Sequence, residues 1–213
     1  MPADGLDIVI VGAGGHGRVV LEAVRAEGRH AVVGFVDADE QLADVAGVPV
    51  VGQAKHLARL RAGGVGGAIV AIGDNRVRAG YFAALLAAGL EPVTVVHPAA
   101  TVSPSASLGR GTFVSAAAVV AAEAAVGDNS IVNTAAVVEH EARVGPDCHV
   151  APAASFGGRV TLGAGAFVGL NATVLPCLNV GAGATVGAGA VLTRDVPAGQ
   201  VWAGCPARPL AGT

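Results

Sequence analysis

The sequence predicts a two-part protein: a Rossmann-like α/β unit over residues 1–97, followed by a parallel β-helix over residues 98–213. Two observations predict this fold class. A strand, a glycine-rich loop and a helix open the chain, as in α/β nucleotide-binding units. A six-residue repeat then runs without interruption from Val102 to the hexad that opens at Leu192. Such repeats are typical of solenoids, whose short strands stack coil on coil.

The amino-terminal unit begins with a continuous apolar strand, Asp7 to Val11, that runs directly into a glycine-rich loop containing Gly14, Gly15 and His16. An amphipathic helix is predicted from Arg18 to Glu27. Glycines let the backbone approach a phosphate closely, and a helix amino terminus offers unpaired N–H groups. The pattern therefore favours phosphate binding, with His16 as a possible donor to a phosphate or a sugar hydroxyl. The alternative is a simple tight turn with a solvated histidine.

Three further strands are predicted at residues 31–36, 68–72 and 92–96. Asp37 follows the first of them, twenty residues after Gly17, and completes a dinucleotide-binding fingerprint. The strands supply only one half of a dinucleotide fold, however, so a mononucleotide site is the better prediction. Gly73, with Asp74 and Asn75, follows the next strand at its carboxyl end, where open α/β sheets bind ligands.

The second unit is predicted from sixteen consecutive hexads, each opened by a branched or aromatic apolar residue. Thirteen of the sixteen carry a small residue four positions after the opener. One large and one small inward side chain per hexad would fill a narrow core, and three hexads would form one coil of about 18 residues. The openers are Val102, Leu108, Val114, Val120, Val126, Val132, Val138, Val144, Val150, Phe156, Leu162, Val168, Val174, Val180, Val186 and Leu192.

Most outward positions of the hexads are Ala, Gly or Asn, so the sequence Glu139-His140-Glu141 stands out. A histidine beside a carboxylate can act as a general base, because the carboxylate fixes its tautomer and raises its basicity. With 18 residues per coil, His140 should stack between Ala122 and Gly158. Glu141 should stack between Glu123, which would oppose its ionisation, and Arg159, which would favour it. The alternative is a solvated charged turn.

The composition indicates neither a nucleic-acid-binding surface nor a membrane protein. The net charge is −3, and no stretch of 18 apolar residues is free of Gly, Pro and charge. The first residues lack the basic start and cleavage site of a signal peptide, so a cytoplasmic location is expected. The three cysteines have neither the density of a disulfide framework nor metal-binding spacing.

Four segments resemble the nucleotide-sugar acetyltransferases of the left-handed β-helix superfamily, with hexapeptide repeats. They are the glycine loop of residues 12–17 and residues 131–154, 169–176 and 204–208. The closest resemblance is to the UDP-4-amino-sugar N-acetyltransferases of bacillosamine synthesis, near the perosamine N-acetyltransferases and the sialic acid O-acetyltransferases. The most specific part is N-T, then E-H-E, then H-V-A-P, at the family's spacing.

The resemblance implies acetyl-CoA as co-substrate, no metal, and a homotrimer with active sites between adjacent subunits. It assigns the catalytic general base to His140, the acid that raises its basicity to Glu141, and a nearby polar role to Asn133. It also implies two groups of binding residues. The acetyl-CoA contacts would be His149, Gly158, Leu170 and Ala188. The nucleotide-sugar contacts would be Gly14, Gly15, His16, Asp37, Ala38 and Gly73. The family often has a second acid where Ala38 stands and a glycine where Ala188 stands.

The resulting hypothesis is an acetyl-CoA-dependent N-acetyltransferase acting on the 4-amino group of a UDP- or GDP-linked sugar, by direct attack on the thioester. Acetylation of a hydroxyl, as on sialic acid, is the near alternative, because the same base geometry serves both. A non-catalytic nucleotide-sugar-binding scaffold is disfavoured by the intact Glu139 to Glu141 cluster. An NAD-dependent oxidoreductase is disfavoured because a second nucleotide-binding half is missing.

Overall fold

The computed structural model describes residues 5–39 and 41–210, which divide into two compact units with the boundary between residues 98 and 99. The first is an α/β unit and the second is a stack of parallel coils. The predicted fold class is confirmed. Within the described ranges, no helix is long and apolar enough to cross a membrane.

The first unit contains a six-stranded sheet, whose strands are β1 (Asp7–Val11), β2 (Ala31–Val36), β3 (Asp44–Val45), β4 (Val48–Gly52), β5 (Gly67–Val70) and β6 (Glu91–Pro92). The strand order is β3-β4-β2-β1-β5-β6, and all neighbours are parallel except in the β3–β4 hairpin. Its helices are α1 (Gly15–Glu27), α2 (Leu57–Ala62), which follows a 3₁₀ turn at Ala54–His56, and α3 (Asn75–Ala87). A further short strand, β7, covers Val95–Val96.

Both faces of β1 are buried, which explains its continuous apolar sequence. Val9 and Val11 belong to a core cluster that includes Leu57 of α2 and Leu85 of α3. Ile8, which alternates with these valines, is also fully buried, and α1 contacts both β1 and β2. Each fully buried aliphatic side chain stabilises the unit by about 1.5–3 kcal/mol relative to exposure. The bounds predicted for β1 and β2 are confirmed, whereas α1 begins three residues earlier than expected.

The second unit places residues 18 apart in register on successive coils, as predicted. Val114 pairs with Val132, and Val132 pairs with Val150. The hexad openers from Val114 to Leu192 are buried, and the small residues, such as Ala136 and Ala154, fill the space between them. Three columns of two-residue parallel strands result.

The coil strands comprise β8 (Thr101–Val102), β9 (Ser107–Leu108), β10 (Phe113–Val114), β11 (Val119–Val120), β12 (Ala125–Val126), β13 (Ile131–Val132), β14 (Val137–Val138), β15 (Arg143–Val144), β16 (His149–Val150), β17 (Ser155–Phe156), β18 (Thr161–Leu162), β19 (Phe167–Val168), β20 (Thr173–Val174), β21 (Asn179–Val180), β22 (Thr185–Val186) and β23 (Val191–Leu192). The coils end in a small antiparallel pair, β24 (Val201–Ala203) and β25 (Arg208–Pro209).

Candidate active site

The turn between β14 and β15 presents His140 and Glu141 to solvent. Nδ1 of His140 lies 3.1 Å from Oε2 of Glu141. A carboxylate only accepts hydrogen bonds, so Nδ1 carries the proton and Nε2 keeps its lone pair. The side chain of His140 is 54% exposed, so this lone pair is accessible to a reacting group. The arrangement is that of a general base with its tautomer fixed by an acid.

Arg159 completes the charge arrangement one coil above Glu141. Its Nε donates to the same Glu141 oxygen at 3.0 Å. The hydrogen bond from His140 and then that from Arg159 lower the pKa of Glu141 below its ordinary value. The predicted effect of Arg159 is therefore confirmed. Glu123, which we expected to oppose it, contributes nothing resolved to this pKa.

Gly158 explains how the imidazole can lie against the coil surface. The backbone N–H of Arg159 donates to the carbonyl of His140, which stacks residues 140 and 158 as predicted. A Cβ atom added to Gly158 would overlap the His140 ring at Cε1 and Nε2. Because Gly158 has no side chain, the His140 ring can occupy this space.

Asn133 lies at the preceding corner of the coil, between β13 and β14, where it contacts His149 rather than His140. Its Oδ1 accepts the backbone N–H of Thr134 at 2.8 Å, which orients the amide. Nδ2 therefore donates to Nε2 of His149 at 3.1 Å, and the proton of His149 is on Nδ1. The His149 ring is buried and packs edge-on against Phe167, with 5.3 Å between ring centroids.

The remaining acetyl-CoA positions divide between the same two corners. Leu170 and Ala188 are exposed residues 18 apart, in one column on adjacent coils. They follow β19 and β22, just as Asn133 follows β13, and so lie at the Asn133 corner. Gly158 lies at the His140 corner instead. The seven predicted site residues of this unit thus form two groups, one around His140 and the other around Asn133.

All six residues predicted to contact the nucleotide sugar line a single cavity of about 410 Å³ in the first unit, which we call the glycine-loop cavity. The cavity is also lined by residues that no motif in the sequence indicates, notably Val77 and Tyr81 of α3. The six are Gly14, Gly15, His16, Asp37, Ala38 and Gly73.

Asp37 joins the glycine loop to the end of β2. Its Oδ2 accepts the backbone N–H of Ala13 at 2.7 Å, and its Oδ1 accepts the backbone N–H of Asp39 at 2.9 Å. Each carboxylate oxygen can accept a second bond, so Asp37 can still receive a sugar hydroxyl.

The segment after β5 contributes Gly73 to the cavity, but its two polar neighbours are structural. Asp74 caps α3 by accepting the backbone N–H of Val77 at 2.8 Å. Arg78, which is fully buried, donates to Oδ1 of Asn75 and to the carbonyl oxygens of Ile72 and Gly73. The side chains of Asp74 and Asn75 therefore hold this loop and the start of α3. An Asp directly before the first helical residue is a sequence signal for a helix start, and Asp74 marks the start of α3 in this way.

The three cysteines are free, and over residues 5–39 and 41–210 no group of three or more His, Cys, Asp or Glu side chains could hold a metal ion.

Comparison with known proteins supports the same interpretation. Residues 7–85 match the family model of the PglD N-terminal domain. No curated protein sequence matches the chain. Among solved structures, PerB from Caulobacter crescentus, in complex with CoA and GDP-perosamine, is 43% identical, with a TM-score of 0.92 over 96% of this chain and 97% of PerB.

Two other solved structures cover nearly the whole chain. The acetyltransferase domain of PglB from Neisseria gonorrhoeae is 39% identical, with a TM-score of 0.92 over 96% of this chain and 99% of that domain. WeeI from Acinetobacter baumannii is 25% identical, with a TM-score of 0.85 over 96% of this chain and 99% of WeeI. The chain therefore belongs to the sugar acetyltransferases of the hexapeptide-repeat family, with a PglD-type amino-terminal domain and a left-handed β-helix.

Proposed function

We propose that this protein transfers the acetyl group of acetyl-CoA to the 4-amino group of a nucleotide-linked amino-deoxy sugar. The single observation that carries this proposal is the His140–Glu141 pair, which leaves Nε2 of an exposed imidazole free to take a proton. The solved structures of PerB and of the PglB domain, which contain CoA with GDP-perosamine and acetyl-CoA respectively, support it.

The chemistry follows from the tautomer of His140. The amine nitrogen attacks the thioester carbonyl carbon, and Nε2 of His140 accepts the proton that the nitrogen loses. The C–S bond then breaks, an amide remains on the sugar, and the proton passes to the departing thiolate sulfur. Glu141 stabilises the transient imidazolium, because its own low pKa keeps it ionised at neutral pH.

In this proposal the glycine-loop cavity holds the nucleotide part of the substrate. Gly14 and Gly15 line it, and a Cβ at either would meet nothing within 4 Å, so their bare backbone faces open space. The α1 amino terminus begins at Gly15 and adds N–H groups and a partial positive charge suited to a diphosphate. Asp37 is placed to accept a ribose hydroxyl.

The test is to mix the protein with acetyl-CoA and a panel of UDP- and GDP-linked 4-amino sugars, and to follow the release of free thiol. We expect turnover with at least one nucleotide-linked amine and none with the corresponding hydroxy sugars. Turnover only on hydroxyl acceptors, sialic acid included, would contradict N-acetylation. Thiol release on no member of the panel would favour the scaffold function.

We further infer that the active enzyme is a homotrimer. The base lies at one corner of the coil, whereas Asn133, Leu170 and Ala188 lie at the preceding corner, where Asn133 contacts His149. A neighbouring copy that brings its Asn133 corner against His140 would complete the site, as a closed ring of identical interfaces allows. Sedimentation should give about three times the chain mass of 20.6 kDa. A fully active monomer would contradict the shared site.

A further inference from the structure

One carboxylate oxygen of Glu141 accepts hydrogen bonds from two different side chains. Nδ1 of His140 lies 3.1 Å from Oε2 of Glu141, and Nε of Arg159 lies 3.0 Å from the same oxygen. The imidazole and the guanidinium are therefore held close together, with one carboxylate between them. Because arginine keeps its proton at any physiological pH, a full positive charge always faces the ring that serves as the base.

Stability does not explain why an arginine stands at position 159. The side chain of Arg159 is 63% exposed and that of Glu141 is 37% exposed, and ion pairs at such exposed positions contribute little to the free energy of unfolding. The turn does not require arginine either, since its φ of 61° is in the left-handed region that favours glycine. The contact of Arg159 with the acid that bonds His140 therefore indicates a role in the chemistry of the site.

Acidic side chains surround His140, and each nearby negative charge favours the protonated form of the ring. Glu141 bonds the ring itself, and Oε2 of Glu139 accepts the backbone N–H of His140 at 2.9 Å. Glu123 occupies the same turn position as Glu141, one coil earlier. Arg159, at this position on the following coil, supplies charge of the opposite sign.

Two further titratable side chains lie on the adjacent coils. The guanidinium of Arg143, in β15, donates to the carbonyl oxygen of Glu123. Cys177 occupies the turn position one coil beyond Arg159, so Arg159 lies between this thiol and Glu141. Of the two arginines, Arg159 is the one that contacts Glu141.

A carboxylate beside a general base has two opposing consequences. It stabilises the imidazolium and so makes the ring a better proton acceptor, but it also keeps the ring protonated up to a higher pH. A ring that is already protonated cannot take a proton from the attacking amine. A cation on the same carboxylate weakens the attraction between the carboxylate and the imidazolium, and its hydrogen bond also holds the carboxylate in place.

We propose that Arg159 is a positioning residue that sets the working pH of His140 through Glu141. It holds the carboxylate against the ring and offsets part of its negative charge, so that the lone pair of Nε2 is free at neutral pH. This inference rests on the proposed function, because it concerns the base of that reaction. It goes beyond that function by assigning the pH range of the base to a residue on another coil.

A pH titration of the full-length protein, followed by NMR, tests the proposal. The Cε1–H signal of His140 is assigned by its loss in His140→Ala. In Arg159→Gln, which keeps an N–H donor but loses the charge, the pH at which half of His140 is protonated should rise by about 0.5 unit or more at low salt, because the carboxylate is then unopposed. Arg159→Lys retains the charge and should restore most of the wild-type value. The acid limb of kcat/KM for thiol release should move in the same direction.

The matched control is Arg110→Gln, which breaks an ion pair of similar exposure with Asp128 at a different corner of the coil and should leave the titration of His140 unchanged. Two results would overturn the proposal. One is an Arg159→Gln protein whose His140 titrates as in the wild type, and the other is a fall in the pH of half-protonation, which would mean that Arg159 only orients Glu141. The expected rise, found together with no thiol release from any acceptor, would support the effect of Arg159 on His140 and contradict the proposed function alone.

Discussion

At the scale of single residues, the base and its partners depend on an unusual backbone conformation. Glu141 and Arg159 occupy the same turn position on successive coils, with φ of 59° and 61°. Left-handed backbone costs a non-glycine residue about 1–3 kcal/mol. Because the position recurs every 18 residues, this conformation places both charges at one corner, where they form their ion pair beside His140. The 18-residue period is enough to predict that Glu141 and Arg159 stack, but it does not indicate the backbone conformation of the turn.

Gly158→Ala tests whether the space beside His140 matters to the chemistry. The added Cβ would overlap the imidazole, so either the ring or the coil must shift. Since a misplaced base loses proton-transfer geometry, we expect kcat to fall about tenfold or more while the fold persists. Steady-state thiol release and a melting curve on the same sample measure the two effects.

Gly183→Ala is the matched control, because a Cβ at that turn would meet nothing within 4 Å. Alanine already occupies the equivalent left-handed position at Ala117, Ala135 and Ala153, so the control should keep wild-type kcat. Equal activity of Gly158→Ala and Gly183→Ala would show that the His140 ring does not need the position that it takes here.

The sequence marks Asn133 as a candidate site residue but does not indicate which side chain it contacts. The N-T motif and its resemblance place it in the active site, but only the fold shows that its amide contacts His149 at a corner one hexad before His140. A linear sequence does not show at which corner of the coil a side chain lies unless the coil boundaries are known. The hydrogen bond to Thr134, which sets the amide, depends on the turn geometry and has no signal in the residue types.

At the scale of elements, the glycine loop between β1 and α1 combines two different functions of glycine. A Cβ at Gly17 would overlap the carbonyl oxygen of Gly12, so Gly17 allows the helix to pack closely against the end of the strand. Gly14 and Gly15 instead line the open glycine-loop cavity. The fingerprint in the sequence marks these glycines together and does not separate packing from ligand contact.

Substitutions at Gly15 and at Gly17 should therefore affect different properties, ligand affinity in the first case and stability in the second. Gly15→Val should weaken binding of the nucleotide sugar and leave the melting temperature nearly unchanged, because its side chain would occupy open space in the cavity. Gly17→Ala should destabilise the first unit by about 1–3 kcal/mol, because backbone must move. Titration calorimetry measures the nucleotide-sugar affinity of both variants, and thermal unfolding measures their stability. Unchanged nucleotide-sugar affinity in Gly15→Val would reject the phosphate-loop assignment.

The elements that the sequence predicted well are those with a strong apolar pattern, either a continuous run or a regular repeat. The strands β1 and β2 are continuous or nearly continuous apolar runs, and the hexads repeat without a slip. The β3–β4 hairpin and α2 are short, and α3 has little amphipathic character because its buried residues are few, Arg78 and Leu85 among them. Such elements are determined by packing against the sheet rather than by their own sequence pattern.

At the scale of the whole molecule, the chain separates two tasks between two units of different physical character. The α/β unit offers cavities at the carboxyl ends of its strands, which suit a nucleotide. The coil unit is narrow and filled by valine and alanine, so its chemistry lies on the outside of its corners. The proposed trimer follows from that construction, because a coil too narrow to enclose a substrate needs a neighbouring surface to form a cleft.

In the proposed reaction Nε2 of His140 takes the proton from the attacking amine, and the kcat of His140→Ala tests that step. Thiol release with the best nucleotide-linked amino sugar should fall by about 10²-fold or more in kcat, because general base catalysis is lost. Acetyl-CoA affinity, measured by titration calorimetry, should stay within about twofold of the wild type, since His140 acts on the proton rather than on the coenzyme. A kcat of His140→Ala within about threefold of the wild type would contradict this role of His140 and place the base elsewhere.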